Sequence, residues 1–387
     1  MNALAWLAQG LIAVPILAGS SYALLRLVAI AVFRSRPAAR EPREWPAVSV
    51  LKPICGLEKG LEASLRSVCA QDYPGEFQIV LSAQRPDEPA LPLLERLAAE
   101  YGPERVTVTV ASGEPAANGK IFNLENARRS ARHGVLLISD SDVRVPPDHL
   151  RAIVAPLADP AIGYSQTLYR GSGAQRWFER LELLSLHDFV SDIVFAHVTG
   201  ASGFCLGSSV ALRRETLEAI GGFEPLAEFL VEDFEMGRRI RGLGLGLALV
   251  RRPVDTIVDL ASTRAWWEHQ LYWDQNTRFA RPKGFLATIL VRPVPFALLF
   301  ACARLFDPLG AGVLAVALGV RLATAAAGMA LLGEREGLRN LHWLPLRDLA
   351  ALGTWLLALR RRSVVWRGVE FELTSDGRML PVGPARP

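Results

Sequence analysis

From residue 3 to residue 25 the chain carries no charged side chain, and after Arg26 the apolar run resumes to Phe33. A bilayer core about 30 Å thick needs roughly 20 apolar residues of helix to cross it. Inside hydrocarbon only a helix or a closed barrel satisfies its own backbone polar groups. The run therefore predicts a membrane-spanning helix over 1–33, long enough to accommodate some tilt. A cleaved signal peptide is the alternative, and it fits less well, because no basic residue precedes the run and the run is too long. Arg34, Arg36, Arg40 and Arg43 follow at once, so the positive-inside rule puts the N-terminus outside and the next domain in the cytoplasm.

Apolar composition returns near the other end. Residues 285–306 and 308–332 read as a hairpin of two spans, the first broken by Pro293 and Pro295. Residues 344–359 are shorter and read as a third span or an interfacial helix; Arg360, Arg361, Arg362 and Arg367 behind them favour a cytoplasmic C-terminus. These ends account for a mean hydropathy of +0.22. The net charge of +4 comes with arginines set beside the apolar runs, which is membrane topology and excludes a nucleic-acid-binding reading. Cys55, Cys69, Cys205 and Cys302 have no metal-ligand spacing and read as reduced, packed thiols.

The middle of the chain alternates strand and helix patterns. Strands are expected at 47–53, 77–82, 105–110, 135–138, 161–169 and 208–212. Helices are expected at 57–70, 91–101, 177–195 and 214–220, with others opening near Lys120, Pro147 and Glu232. This alternation predicts a doubly wound, parallel α/β sheet. The resulting boundaries are a transmembrane helix at 1–33, a linker at 34–46, the α/β domain at 47–284, a membrane region at 285–360 and a cytoplasmic tail at 361–387.

Chemistry concentrates at Val135-Leu136-Leu137-Ile138-Ser139-Asp140-Ser141-Asp142, an apolar strand that runs into two carboxylates one residue apart. Ligands of open α/β sheets bind at the carboxyl ends of strands. Two carboxylates there repel unless a cation lies between them, and a divalent metal with a nucleotide diphosphate is the natural pair. Asp and Ser also make ordinary turns after strands, so both readings stand at this point. Asp87 and Glu88 lie in a polar turn after the second expected strand, where a solvated turn is the plainer reading. The Gly-rich stretch 113–119 leads into Lys120 at a helix start, suited to a phosphate but matching no Walker motif. Glu232 and Asp233 open a helix, where acids also simply complement the helix dipole. Residues 199–204 are small enough for backbone to approach a ligand. Trp266, Trp267 and Trp273 lie close together on one expected helix.

The order of these motifs resembles membrane-anchored GT-A glycosyltransferases of the broad family 2 type, and more narrowly the ceramide glucosyltransferase family with its bacterial relatives, the hopanoid-biosynthesis-associated glycosyltransferases. The stretches that carry the resemblance are Val48-Ser49-Val50-Leu51-Lys52-Pro53, Gly119-Lys120 with Asn123-Leu124, Asp140-Ser141-Asp142-Val143-Arg144-Val145, Arg213-Arg214-Glu215, Gly221-Gly222-Phe223, Val231-Glu232-Asp233 and Val364-Val365-Trp366-Arg367-Gly368. The resemblance implies a cytoplasmic GT-A domain that binds a nucleotide sugar, with transmembrane helices at both ends, on the inner membrane of a bacterium. It implies Asp233 as the general base and Asp140 with Asp142 as ligands of Mg²⁺ or Mn²⁺ on the donor diphosphate. Asp87 and Glu88 would lie at the nucleoside, Glu88 in place of the usual aspartate, and Lys120, Asn123, Glu232, His269, Gln270 and Trp273 would contact donor or acceptor. The expected partners are a UDP-sugar donor carrying glucose or N-acetylglucosamine, a membrane lipid acceptor such as a hopanoid or ceramide, and the bilayer itself. The reaction would be one inverting displacement.

One signature departs from the pattern. The family expects Gln/Arg-x-x-Arg-Trp, and this chain has His269-Gln270-Leu271-Tyr272-Trp273. Tyrosine cannot supply the fixed positive charge of the missing arginine. Arg278, about a turn and a half further along the helix, is the expected substitute. A processive polysaccharide synthase is an alternative that would keep the Arg-Trp pair and carry more spans. A non-catalytic relative that binds lipid or nucleotide is the other, and Tyr272 is its only support.

Overall fold

The computed structural model describes residues 3–113, 116–201, 203, 205–366 and 369–384. The chain divides into two units, each assembled from separated segments. One comprises Met1–Arg36, Gly171–Ala201 and Leu260–Arg362; the other comprises Pro37–Arg170, Ser202–Asp259 and Ser363–Pro387. The uninterrupted 47–284 domain expected from the sequence is thus divided between them, because the helix Trp177–Val198 and the aromatic helix Thr263–Ala280 are grouped with the apolar helices.

The second unit is built on eight strands: β1 Val48–Ile54, β2 Phe77–Ala83, β3 Val106–Val110, β4 Val135–Ser139, β5 Val143–Arg144, β6 Ile162–Ser172, β7 Ser209–Arg213 and β8 Gly246–Ile257. Their order across the sheet is β3-β2-β1-β4-β7-β6-β8-β5. β1 runs parallel to β2 and to β4, with Val50 facing Ile79 on one side and Leu137 on the other, and β2 runs parallel to β3. This is the doubly wound half that the alternation predicted. Beyond β4 the sheet turns antiparallel, at β4–β7, β7–β6 and β8–β5. The whole is therefore a mixed sheet. β1, β2 and β4 are buried along their full length, as strands covered on both faces must be.

Two helices near the acidic residues share one core with the sheet. Ile121, Leu124 and Ala127 of Gly119–Ser130, and Met236 and Ile240 of Glu232–Gly242, pack in a cluster with Leu51, Val80, Leu136 and Ile138. Burying each Leu or Ile side chain contributes about 1.5–3 kcal/mol, so the helix starts are held firmly over the strand ends. Residues beyond 361, expected as a plain tail, form three antiparallel strands: β9 Ser363–Trp366, β10 Val369–Leu373 and β11 Met379–Pro384. The alternation Val369-Glu370-Phe371-Glu372-Leu373 buries Phe371 and Leu373 on one face, which is the strand signal in that segment.

The first unit is helical. Two of its helices are long and apolar enough to cross a membrane, Gln9–Ser35 and Pro308–Leu332. Pro282–Val291 and Pro293–Ala303 meet at a bend of 47°, a broken span or a re-entrant loop, where Pro293 interrupts the helix as expected. Leu344–Ala358 has 15 residues, about 22 Å of helix, too short for a full crossing. Arg26 and Arg321 lie inside the apolar helices and are paired. Arg26 meets Asp188 and Asp192, each at 2.9 Å, and Arg321 meets Asp188 at 2.6 Å and Asp348 at 2.9 Å. Arg347 closes the network on Asp188 and Asp348. Charges in such surroundings persist only when matched in this way.

Candidate active site

The acidic corner begins as a turn. Val143 N–H donates to Asp140 O at 3.3 Å, Asp140 N–H to Ser208 O at 3.1 Å, and Ile257 N–H to Asp142 O at 3.2 Å. The fully buried Lys52 of β1 holds the same turn, donating from Nζ to Asp140 O at 2.5 Å and Val143 O at 3.3 Å. Burial lowers the Lys52 ammonium to about 8, and only its acidic neighbours Asp142, Asp140 and Glu58 keep it from falling further. Asp142 is pushed up to about 7, first by burial and then by Asp140 and Glu58. Glu58 itself is raised by burial, although it accepts a hydrogen bond from Ser141 Oγ at 2.6 Å. Burial first, and like charge second, thus disfavour ionisation of Asp142 and Glu58.

The next acids come from the Glu232–Gly242 helix. Glu232 Oε2 accepts from Asn118 Nδ2 at 3.1 Å. Asn118 also caps the Gly119–Ser130 helix, accepting from the N–H groups of Lys120 and Ile121. One asparagine therefore ties the two helix starts together. Asp233 Oδ2 accepts from Gly207 N–H at 2.8 Å and Oδ1 from Phe234 N–H at 2.7 Å. Burial and the adjacent Glu232 still raise its carboxyl to about 7, against the pull of Lys120 and of these two bonds.

Lys120 joins the two acidic groups. Its Nζ lies 2.7 Å from Asp140 Oδ1 and 3.4 Å from Glu232 Oε1, and it donates to Gly207 O at 3.3 Å. Burial works against its charge, but Asp140 and Glu232 outweigh that and raise its pKa. Gly207 leaves room for these side chains, since a Cβ there would lie 2.9 Å from Lys120 Nζ and 3.2 Å from Asp233 Oδ2 and would displace the lysine end.

Asp87 and Glu88 part company. Asp87 is exposed beside Arg85, whereas Glu88 is 3% exposed and accepts from Gly56 N–H at 2.5 Å. Gly56 has φ +81°, a conformation glycine adopts freely, which lets its N–H meet the carboxylate. Asn123 Nδ2 donates to Ile54 O at 3.0 Å in the same loop. Among the described residues, Glu88 Oε2 and Asn123 Oδ1 are buried acceptors that meet no hydrogen-bond donor. Two such oxygens beside one loop suit a ligand that brings N–H or O–H donors.

His269, Gln270 and Trp273 belong to the helical unit and meet Glu182 there. Gln270 Nε2 donates to Glu182 Oε2 at 2.6 Å, His269 Nδ1 lies 3.2 Å from Glu182 Oε1, and Trp273 Nε1 donates to His269 Nε2 at 3.2 Å. Arg278 has a different task from the one expected of it. Its Nη1 donates to Ala358 O and Arg361 O, so it caps the C-terminal end of the Leu344–Ala358 helix, where a cation is favoured. Ser202 and Phe204 of the small-residue stretch, and Arg367 and Gly368 of the late motif, lie outside the described residues.

Several of these residues have no assigned role in the sequence reading. Lys52 was quoted only within the strand motif, although a lone lysine in an apolar strand is itself a signal. Asn118 has the signature of a helix N-cap. Glu58 and Glu182 have no local signal, because their partners lie 83 and 88 residues away.

Among the described residues no three His, Cys, Asp or Glu side chains converge to hold a metal by themselves. Mg²⁺ and similar hard cations are commonly bound by one or two carboxylates, with substrate phosphates supplying further ligands. Asp140 and Asp142, two carboxylates one residue apart at the end of β4, fit that pattern.

The mixed sheet, with carboxylates at the ends of its central strands, defines a GT-A-type glycosyltransferase fold. A mannosyltransferase from Pyrobaculum calidifontis, solved in complex with GDP-Man and Mn²⁺, has the same fold. It superposes with a TM-score of 0.55 at 20% identity, over 91% of this chain and 99% of that one. The chain belongs to glycosyl transferase family 21, which it matches over residues 11–379, and it is a glycosyltransferase. Ceramide glucosyltransferase 3 of Caenorhabditis elegans is 21% identical over 378 residues, 92% of this chain and 80% of that protein. Beta-monoglucosyldiacylglycerol synthase of Synechocystis sp. is 22% identical over 250 residues, 60% of this chain and 48% of that protein.

Proposed function

We propose that this protein transfers a sugar, with inversion, from a UDP-sugar to the hydroxyl of a membrane lipid. The observation that carries the reading is Lys120 drawn against Asp140 and Glu232, with Asp233 held beside it by Gly207. On this reading Lys120 is the phosphate-binding cation, Asp140 a metal-binding carboxylate and Asp233 the base. The acceptor oxygen attacks the anomeric carbon as the bond from that carbon to the diphosphate oxygen breaks. Asp233 takes the hydroxyl proton, and a carboxyl near 7 is well matched to that task at neutral pH. Asp140 and Asp142 would hold Mg²⁺ or Mn²⁺, which when bound stabilises the charge that develops on the departing diphosphate. Lys120 donates to the same phosphates. Glu88 Oε2 and Asn123 Oδ1 accept from the nucleoside.

The lipid acceptor is supported by the apolar helices and by relatives named for glucosyl transfer to ceramide and diacylglycerol. Glucose is accordingly the first sugar to test, with N-acetylglucosamine next, and ceramide-, diacylglycerol- and hopanoid-type alcohols are the acceptors to compare. The arginines behind the first span favour a cytoplasmic catalytic unit, and the bacterial inner membrane is the setting the sequence resemblance suggests. The test incubates membranes containing the protein with labelled UDP-sugars, Mg²⁺ or Mn²⁺ and lipid extract, alongside Asp233→Asn and Asp140→Asn. Label should enter a low-mass lipid and be lost in both variants. Label in a polymer instead, or UDP binding without turnover, refutes the proposal.

A further inference from the structure

The ion pairs of Lys120 have a consequence for the order in which the site fills. The Nζ sits 2.7 Å from Asp140 Oδ1, bridges to Glu232 Oε1 at 3.4 Å and is fixed by Gly207 O at 3.3 Å. Its side chain is 19% exposed. A cation is therefore already seated on the strand-end carboxylate, enclosed by Gly207, whose missing Cβ makes the room. A divalent ion ligated by Asp140 would sit about 2.0–2.1 Å from a carboxylate oxygen. An ammonium held against the same carboxylate is a like charge at close range in a poorly solvated corner. Full occupancy of both positions is electrostatically unfavourable.

We infer that Lys120 is a built-in counter-ion seated on the carboxylate that would hold the metal, and that it must swing towards the donor's diphosphate for Asp140 to serve as a metal ligand. The inference rests on the glycosyl-transfer reading above and adds a rule of assembly to it. Before donor arrives, the ammonium offsets Asp140 and Glu232 and keeps metal affinity low. When metal and nucleoside diphosphate arrive together, the displaced ammonium gains phosphate oxygens as new acceptors. Metal and nucleotide then bind with positive coupling, each strengthening the other by the same factor. Lys120 is a positioning residue for the metal as well as a contact for the donor.

The test measures Mn²⁺ binding to the full-length protein in detergent by electron paramagnetic resonance, without and with UDP, with thermal melting as the control for folding. Lys120→Met and Lys120→Gln should bind Mn²⁺ at least about tenfold more tightly than wild type when UDP is absent. Lys120→Arg, which keeps the charge, should remain close to wild type. At saturating Mn²⁺ the two neutral variants should bind UDP more weakly, so the coupling shrinks from both sides. Unchanged or weaker Mn²⁺ binding in both folded neutral variants overturns the inference and leaves the glycosyl-transfer reading intact. A wild type that binds no Mn²⁺ even with UDP overturns the metal-site reading, and the inference with it.

Discussion

Replacing Asp233 with asparagine keeps the shape of the side chain and removes its capacity to take a proton. Both carboxylate oxygens accept backbone N–H groups, from Gly207 and Phe234. The amide oxygen preserves one of these bonds, so the helix start should survive. A positioned general base contributes typically about 10²–10⁴-fold, which is roughly 2.7–5.4 kcal/mol of barrier. The turnover of lipid by Asp233→Asn should fall by that factor, with UDP affinity little changed. The pH profile makes the assignment specific. With the carboxyl raised to about 7, only about a tenth of it is ionised at pH 6 and about nine-tenths at pH 8. Wild-type kcat/KM should therefore climb about tenfold per unit below pH 7 and level off above 8. Lys120 lowers the Asp233 carboxyl, so Lys120→Met should move that limb to higher pH. The assay is single-turnover transfer of labelled sugar to lipid in nanodiscs between pH 5.5 and 8.5. If Asp233→Asn keeps more than a tenth of the wild-type rate, or the wild-type limb is flat, Asp233 is not the base.

Three further outcomes follow from the same geometry. Because the Asp142 and Asp233 carboxyls are raised in the folded protein, it holds their protons at pH values where the unfolded chain has released them, so stability falls as pH rises from about 4 to about 7; melting of the ligand-free protein should show this slope, and it should be shallower in Asp233→Asn. Asp188→Ala removes the carboxylate shared by Arg26, Arg321 and Arg347; breaking a buried pair costs about 3–5 kcal/mol, and a loss below about 1 kcal/mol in detergent unfolding would show that the remaining acids suffice. Gly207→Ala puts a methyl 2.9 Å from Lys120 Nζ and 3.2 Å from Asp233 Oδ2; turnover should fall at least tenfold with little change in melting temperature, and a fully active variant would mean that the corner is looser than its distances.

The parallel half of the sheet was legible because β1, β2 and β4 are short apolar runs bounded by turn residues, and such runs are what a strand covered on both faces requires. Strand direction beyond β4 was not legible. The antiparallel run of β7 beside β4 depends on how the chain returns after an intervening excursion through helices, and no local pattern encodes that. Proline at 293 announced the broken apolar segment, since it removes a helix N–H. The acids Glu88, Asp140, Glu232 and Asp233 stood out by their order along the chain. Their separate environments did not, for burial is a tertiary property: Asp87 and Glu88 are neighbours in sequence, yet one faces solvent and the other is enclosed. Arg278 shows the opposite failure. Helical spacing made it a reasonable replacement cation, but the carbonyls it caps come from residues 80 and 83 positions later.

The turn at Asp140-Ser141-Asp142 is compatible with the metal-binding role proposed for its carboxylates, and Lys52 helps to hold it. The turn spends backbone groups: Asp140 N–H on Ser208, Asp140 O on Val143 and Lys52, and Asp142 O on Ile257. Backbone groups thus supply much of the hold on the segment, beside the Lys120 contact to the Asp140 carboxylate, and at Asp142 burial, followed by Asp140 and Glu58, raises the carboxyl to about 7. Lys52→Met tests this division of labour. Methionine is unbranched and of similar length, so the wholly buried site should stay filled. Methionine carries no desolvation penalty, but it leaves the carbonyls of Asp140 and Val143 and the nearby carboxylates without their ammonium, so stability should fall by about 3–5 kcal/mol. Activity should fall as well, because two bonds that hold the turn are lost and a displacement of about 1 Å at a reacting centre is worth about 10²-fold. Turnover reduced about 100-fold, with weakened Mn²⁺ binding in a folded protein, is the expected result. A Lys52→Met variant within twofold of wild type on both measures would mean that the backbone bonds alone position the carboxylates.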